Sequence, residues 1–84
     1  MSQRAQTKDE RYMQGLYELA QAAGTWEKEF DMVEVGQYVG LTPKAVKAIV
    51  ALLARANFVK KASKTHLCIT QHGQQLVRGL QGMA

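Results

Sequence analysis

The fold is decided by residues 35–49, which read VGQYVGLTPKAVKAI. Gly40 suits a turn that needs a positive φ angle. Thr42 followed by Pro43 is typical of a helix N-terminus, with threonine as the N-cap and proline in the first turn. Gly36 would let two helices cross closely, because a large side chain there would hold them apart. The stretch therefore predicts two short helices joined by a tight turn.

The spacing of apolar residues extends this prediction over the rest of the chain. Spacings of three and four residues predict helices, and two apolar runs around a polar turn at residues 63–65 predict two strands. Residues 25–30 are expected to form a loop that could include a short strand near Phe30. The expected helices cover residues 9–23, 32–39, 43–56 and 70–80, and the expected strands cover residues 58–62 and 66–70. We therefore expect an α+β fold, mostly α, as a single domain over residues 9–82 behind a flexible lead-in at residues 1–8.

This order of elements resembles the winged helix-turn-helix of DNA-binding proteins, with three helices, a two-stranded wing hairpin and a C-terminal helix. Residues 12–19 (YMQGLYEL) and 66–76 (HLCITQHGQQL) are similar to the DNA-binding domain of diphtheria-toxin-repressor-like metalloregulators. Residues 69–73 (ITQHG) resemble the signature that follows the wing in MarR-type regulators. The resemblance implies a small transcriptional regulator that binds double-stranded DNA, as a homodimer formed through its first and last helices.

The chain departs from the metalloregulators at positions that would bind metal. Arg11 and Gln14 stand where the manganese-type members are expected to carry carboxylates. His66, Cys68 and His72 offer three ligands, whereas a structural zinc site normally takes four. We therefore expect no metal and no cofactor.

Charge is distributed unevenly along the chain. All seven acidic residues lie within the first 34 positions together with four basic residues, which gives that part a net charge of −3. Residues 35–84 contain seven basic residues and no acidic one, a net charge of +7. A field of this sign favours polyanions such as nucleic acid.

The resemblance places the N-terminal part of the third helix in the major groove and the hairpin against the DNA backbone or minor groove. Contacts of these cations with phosphates would supply affinity and position, but they carry no sequence information. The residues expected to bind DNA are Thr42, Lys44, Lys47 and Ala48 on the third helix, and Lys60, Lys61, Lys64 and Thr65 on the hairpin.

A second function stays open because the third helix is rich in alanine and leucine. Its groove-facing positions lack the Arg, Asn and Gln side chains that read base edges, and Leu52 is expected to be exposed. Such a face could bind a protein partner instead of DNA. Lys60 and Lys61 also have a simpler explanation, since charged residues on a strand edge discourage aggregation.

Composition argues against other classes of protein. No apolar run reaches the roughly 18–20 residues that a membrane span needs, and residues 1–10 lack the apolar stretch of a signal peptide. The single cysteine, Cys68, cannot form an internal disulfide, which fits a reducing compartment. No motif of a nucleophile with its base, a phosphate loop or a carboxylate pair supports catalysis. We therefore expect a cytoplasmic protein that is neither an enzyme nor a membrane protein.

Overall fold

The computed structural model describes residues 7–82, with side chains described for residues 7–80. Within these residues the fold is α+β and mostly helical, as predicted, with four helices and one three-stranded antiparallel sheet. No helix in this part of the chain is both long and apolar enough to cross a bilayer. The elements in chain order are α1 (Lys8–Ala23), β1 (Phe30–Asp31), α2 (Met32–Tyr38), α3 (Pro43–Arg55), β2 (Val59–Lys61), β3 (His66–Ile69) and α4 (Gln71–Gly82).

The first helix begins one residue earlier than expected, because Thr7 caps it. The Glu10 amide donates to Thr7 Oγ1 at 3.3 Å, and the Thr7 amide donates to Glu10 Oε1 at 2.9 Å. This reciprocal pair satisfies two backbone amides at the start of the helix. The cap and the first helical residue therefore fall on the last two residues of the predicted lead-in at residues 1–8, and residues 1–6 lie outside the described residues.

The predicted pair of helices with a tight turn is present at α2 and α3. Asp31 caps α2, since its Oδ1 accepts hydrogen bonds from the amides two and three residues ahead, at 2.8 and 3.2 Å. The Leu41 amide closes the turn by donating to Gly36 O at 2.7 Å, and Gly40 has the expected positive φ, 80°. A Cβ at Gly36 would lie 2.3 Å from Val46 Cγ2, so the helices cross too closely for a larger residue.

The sheet has the strand order β1-β3-β2. β2 and β3 form the predicted hairpin, in which Lys60 lies opposite Cys68 and Lys61 lies opposite Leu67. The short strand considered near Phe30 is confirmed as β1, and Phe30 pairs with Leu67 on the other side of β3. The prediction of a two-stranded sheet is corrected to three strands, because β1 finds its partner far along the chain, where local patterns give no information.

The core lies on one face of the sheet, and α1 runs along it in contact with α2, α3, α4 and β3. Tyr12, Met13 and Leu16 are fully buried, and the Tyr12 hydroxyl donates a hydrogen bond to Met32 O at 2.9 Å. Burial raises the pKa of Tyr12, with the Asp31 carboxylate as the smaller cause, so this hydroxyl keeps its proton for the bond. The sheet contributes the buried side chains Val59, Leu67 and Ile69.

The start of α4 is fixed to the chain that leaves α3. Thr70 Oγ1 donates to Asn57 O at 2.6 Å and accepts from the Gly73 amide at 3.0 Å. Asn57, just after the end of α3, has a left-handed conformation with φ of 64°, which asparagine tolerates better than most residues. A Cβ at Gly73 would lie 2.1 Å from Phe58 O and 2.8 Å from Met13 Cε. The first turn of α4 therefore packs directly against the backbone of Phe58.

We expect two glycines of α4 to respond in opposite ways to replacement by alanine. Gly73→Ala should lower the free energy of unfolding by about 1–3 kcal/mol, because the added methyl group would collide with a backbone carbonyl. Gly79→Ala should leave it unchanged or raise it by about 0.5–1 kcal/mol, since alanine favours a helix and no described atom lies within 4 Å of a Cβ there. Urea denaturation followed by circular dichroism measures both values, and equal effects would contradict this packing.

Candidate nucleic-acid interface

α3 is amphipathic, and its outward side forms one continuous surface. Its inward side chains Val46, Ile49, Val50 and Leu53 are buried in the core. Because 3.6 residues make one turn, the positions opposite to them line up along the helix and face solvent. This surface, which we call the α3 face, consists of the exposed residues Lys44, Lys47, Ala48, Ala51, Leu52 and Arg55.

The α3 face carries three cations and no acidic side chain. Lys44 and Arg55 lie at the two ends of a line whose middle positions are Ala48 and Ala51, since residues three and four apart are neighbours on a helix. Lys47 lies beside this line. Within residues 7–80, no ion pair or side-chain hydrogen bond engages any of the three cations. Their charges are therefore available to an external polyanion.

The edge of the α3 face on the other side of the line from Lys47 is apolar. Leu52 is 57% exposed, and Tyr38 is the other large hydrophobic residue that is exposed among the described residues, at 54%. Tyr38 is held against α1, because its hydroxyl donates to Glu18 Oε1 at 2.8 Å. This hydrogen bond is also the main cause that raises the pKa of Tyr38. Leu52 is thus the large apolar side chain that α3 itself offers to solvent, as the sequence predicted.

The N-terminus of α3 is a capped helix end. Thr42 is exposed, and its Oγ1 accepts a hydrogen bond from the Ala45 amide at 3.2 Å. The Thr42 hydroxyl keeps its own proton, so it can cap the helix and donate to a phosphate oxygen at the same time. Lys44 and Lys47 follow within the next turn, where the positive end of the helix dipole adds to their field.

The hairpin does not bring its lysines together. Successive side chains of a strand point to opposite faces of a sheet, and Lys60 pairs with Cys68 whereas Lys61 pairs with the buried Leu67. Lys60 therefore leaves from the outer face, away from the core, and Lys61 from the inner face beyond the edge of the core. Lys64 lies in the turn between the two strands. The three lysines leave the hairpin in three directions.

Acidic residues from the loop before β1 lie close to Lys60. Glu27, Glu29 and Lys60 line one open cleft of about 930 Å³ beside Cys68. Burial is the main cause that raises the pKa of Cys68, Lys60 lowers it, and the two carboxylates raise it further. The charge of Lys60 is thus partly offset by its surroundings, unlike the charges on the α3 face.

The turn of the hairpin is well fixed and is joined to α2. Ser63 Oγ accepts hydrogen bonds from the amides of Thr65 and His66, at 3.3 and 3.1 Å. The Thr65 carbonyl accepts from the Met32 amide at 2.8 Å, and the Thr65 hydroxyl lies 2.7 Å from His66 Nδ1. Lys64 is therefore presented from a defined turn next to the N-terminus of α2.

Residues considered for metal binding have other contacts. Arg11 Nη2 donates to Val39 O, which ties α1 to the end of α2. The His72 ring stacks on Phe58 with ring centroids 4.8 Å apart. Among the described residues, no group of three or more His, Cys, Asp or Glu side chains is arranged to hold a metal ion.

No protein-family model, curated protein or solved structure matches this chain. The assignment of a function therefore depends on the shape and the charges described above.

The structure places the predicted site residues in two groups. The first group is exposed at the N-terminal half of α3 and consists of Thr42, Lys44, Lys47 and Ala48. The second group is exposed but divided over the hairpin and consists of Lys60, Lys61, Lys64 and Thr65. The sequence-based prediction missed Arg55. Its distance of three helical turns from Lys44 was the signal that could have placed it on the same line.

Proposed function

We propose that this chain is a winged helix-turn-helix domain that binds double-stranded DNA and acts as a small transcriptional regulator. The observation that carries the proposal is the α3 face, which contains Lys44, Lys47 and Arg55 and no acidic residue. α2 and α3 would be the helix-turn-helix, and the β2–β3 hairpin would be the wing. The major groove, about 12 Å wide, admits one α-helix.

The joint between α2 and α3 supports this proposal. In a helix-turn-helix the first helix and a short turn fix the angle at which the second helix enters the groove. Here the turn is closed by the Leu41 amide on Gly36 O, and Gly36 also meets Val46 of α3 directly. A helix fixed in this way can present the same side chains to DNA in every complex.

The hairpin would contribute contacts to the sugar-phosphate backbone. Lys64 and Thr65 leave from the turn, and Lys61 leaves from the inner face of the sheet. Lys60 contributes less in this arrangement, because it shares its face with Glu27 and Glu29. Phosphate contacts of this kind add affinity and fix the position of the domain without selecting a sequence.

A protein partner on α3 is the second candidate, and Leu52 is the observation that favours it. A leucine that is 57% exposed beside two alanines could occupy an apolar pocket of a partner. The cations of the same face favour DNA, because a protein partner would have to supply several carboxylates to match them. The dependence of binding on salt separates the two candidates.

Affinity for a duplex of random sequence should fall steeply with salt. About four to six phosphate contacts give a slope of roughly −3.5 to −5.5 for log K against log salt concentration, since each neutralised phosphate releases counterions. Fluorescence anisotropy with a labelled duplex over about 0.05–0.3 M salt measures this slope. An absence of binding at low salt, or an affinity indifferent to salt, would contradict the proposal and favour a protein partner.

Lys44→Gln and Lys60→Gln form a matched pair that tests which lysines face the DNA. Lys44→Gln should weaken binding to every duplex about eightfold at about 0.1 M salt and reduce the steepness of the salt slope by about 1, because one phosphate contact is lost. Lys60→Gln should weaken binding less than about twofold, since two carboxylates already offset its charge. Both positions are exposed, so neither change should affect folding. A larger loss for Lys60→Gln would place the DNA on the outer face of the sheet.

We also propose that the chain acts as a homodimer through α1 and α4, as its resemblance to winged-helix regulators implies. These two helices contact each other, so a second copy could pack against both of them at once. Two α3 faces could then bind half-sites about 34 Å apart on one side of a duplex. Sedimentation velocity should show a dimer at micromolar concentration. A monomer that binds DNA as a single copy would contradict this part of the proposal.

A further inference from the structure

The centre of the α3 face offers no side chain that can read a base by hydrogen bonds. Ala48 and Ala51 lie between Lys44 and Arg55, and Leu52 lies beside them. Arg and Lys can form paired hydrogen bonds with guanine, and Asn and Gln with adenine. Lys44 and Arg55 stand at the ends of the line and Lys47 lies beside it, so the centre itself can make only apolar contacts with a base.

The spacing of the cations indicates how such a helix would meet DNA. Lys44 and Arg55 are eleven positions apart, which corresponds to about 16 Å along the helix axis. The major groove is about 12 Å wide, so cations at this spacing reach phosphates on its two sides. The alanines between them then lie over the base edges, and their short side chains let the helix approach closely.

Among the groups that base pairs present in the major groove, the C5-methyl group of thymine is the apolar one. Contact between this methyl group and the side chains of Ala48, Ala51 or Leu52 removes apolar surface from water on both sides, which is favourable. A G·C pair has no such methyl group and presents guanine N7 and O6 and the cytosine N4 amino group in the major groove. These atoms would lose hydration against alanine or leucine without gaining a hydrogen bond.

We propose that the α3 face selects DNA by contact with thymine methyl groups, so that its ligand is a duplex with A·T pairs under the centre of α3. This inference rests on the proposed function, because it assigns a preference for A·T pairs to the same α3 face. The cations on both sides of the apolar centre match the charge of the DNA backbone. Leu52, which is uncovered in the free chain, becomes covered in this complex.

Two duplexes of the same A·T-rich sequence test the inference, one with thymine and one with deoxyuridine at every thymine position. They share base pairing and charge and differ in the C5-methyl group. At a single salt concentration the chain should bind the thymine duplex at least about fourfold more tightly, which corresponds to one buried methyl group. Equal affinities with salt-dependent binding to both would overturn this inference and leave the proposed function in place. No binding to either duplex at low salt would overturn both.

Variants at exposed positions show whether the preference arises on α3. The combined variant Ala48→Gln/Ala51→Gln/Leu52→Gln should bind both duplexes equally, because it replaces all three apolar side chains at exposed positions, while glutamine favours a helix. Lys64→Gln is the matched control, since the loss of a phosphate contact should weaken binding to both duplexes by the same factor. A thymine preference unchanged in the combined variant would overturn the assignment to the α3 face.

Discussion

The close contact between Gly36 and Val46 sets the position of α3, and the rest of the proposed interface depends on it. A side chain at Gly36 would overlap Val46, and the carbonyl of the same glycine accepts the hydrogen bond from Leu41 that closes the turn. A single residue therefore fixes both the distance between the helices and the path of the chain between them. Because the branched side of α3 faces the core at this crossing, its lysines and the alanines Ala48 and Ala51 face solvent.

Three of the seven acidic residues of this chain make contacts on α1 and α2 rather than on α3. Glu10 completes the cap of α1, Asp31 caps α2, and Glu18 accepts a hydrogen bond from Tyr38. Carboxylates are favoured at the N-terminal ends of helices, where they satisfy backbone amides and interact well with the helix dipole. The positions of these three carboxylates in the acidic half of the sequence thus have a structural cause. In its basic half, no described contact uses the cations of the α3 face.

Local patterns predicted the helices because caps and turns are decided by neighbours in the sequence. Thr42 and Gly40 have the cap and the positive φ that their residue types indicate, whereas the reciprocal cap at Thr7 was overlooked. The same patterns could not give the surroundings of the hairpin lysines. Lys60 and Lys61 are adjacent in sequence, yet pairing with β3 sends them to opposite faces. The acidic residues beside one of them come from a loop far earlier in the chain.

Two features of the composition of α3, its exposed alanines and Lys44, have different causes. The buried side of α3 contains β-branched residues such as Val46, which have a lower helix propensity. The exposed alanines raise the helix propensity of the segment, and they do so whatever the helix binds. Lys44 has no such explanation. It lies in the first turn of α3, which contains no acidic residue, and a cation there is unfavourable next to the positive end of the helix dipole. A lysine that opposes the dipole, and that no described residue pairs with, fits the proposal that this face binds an anionic partner.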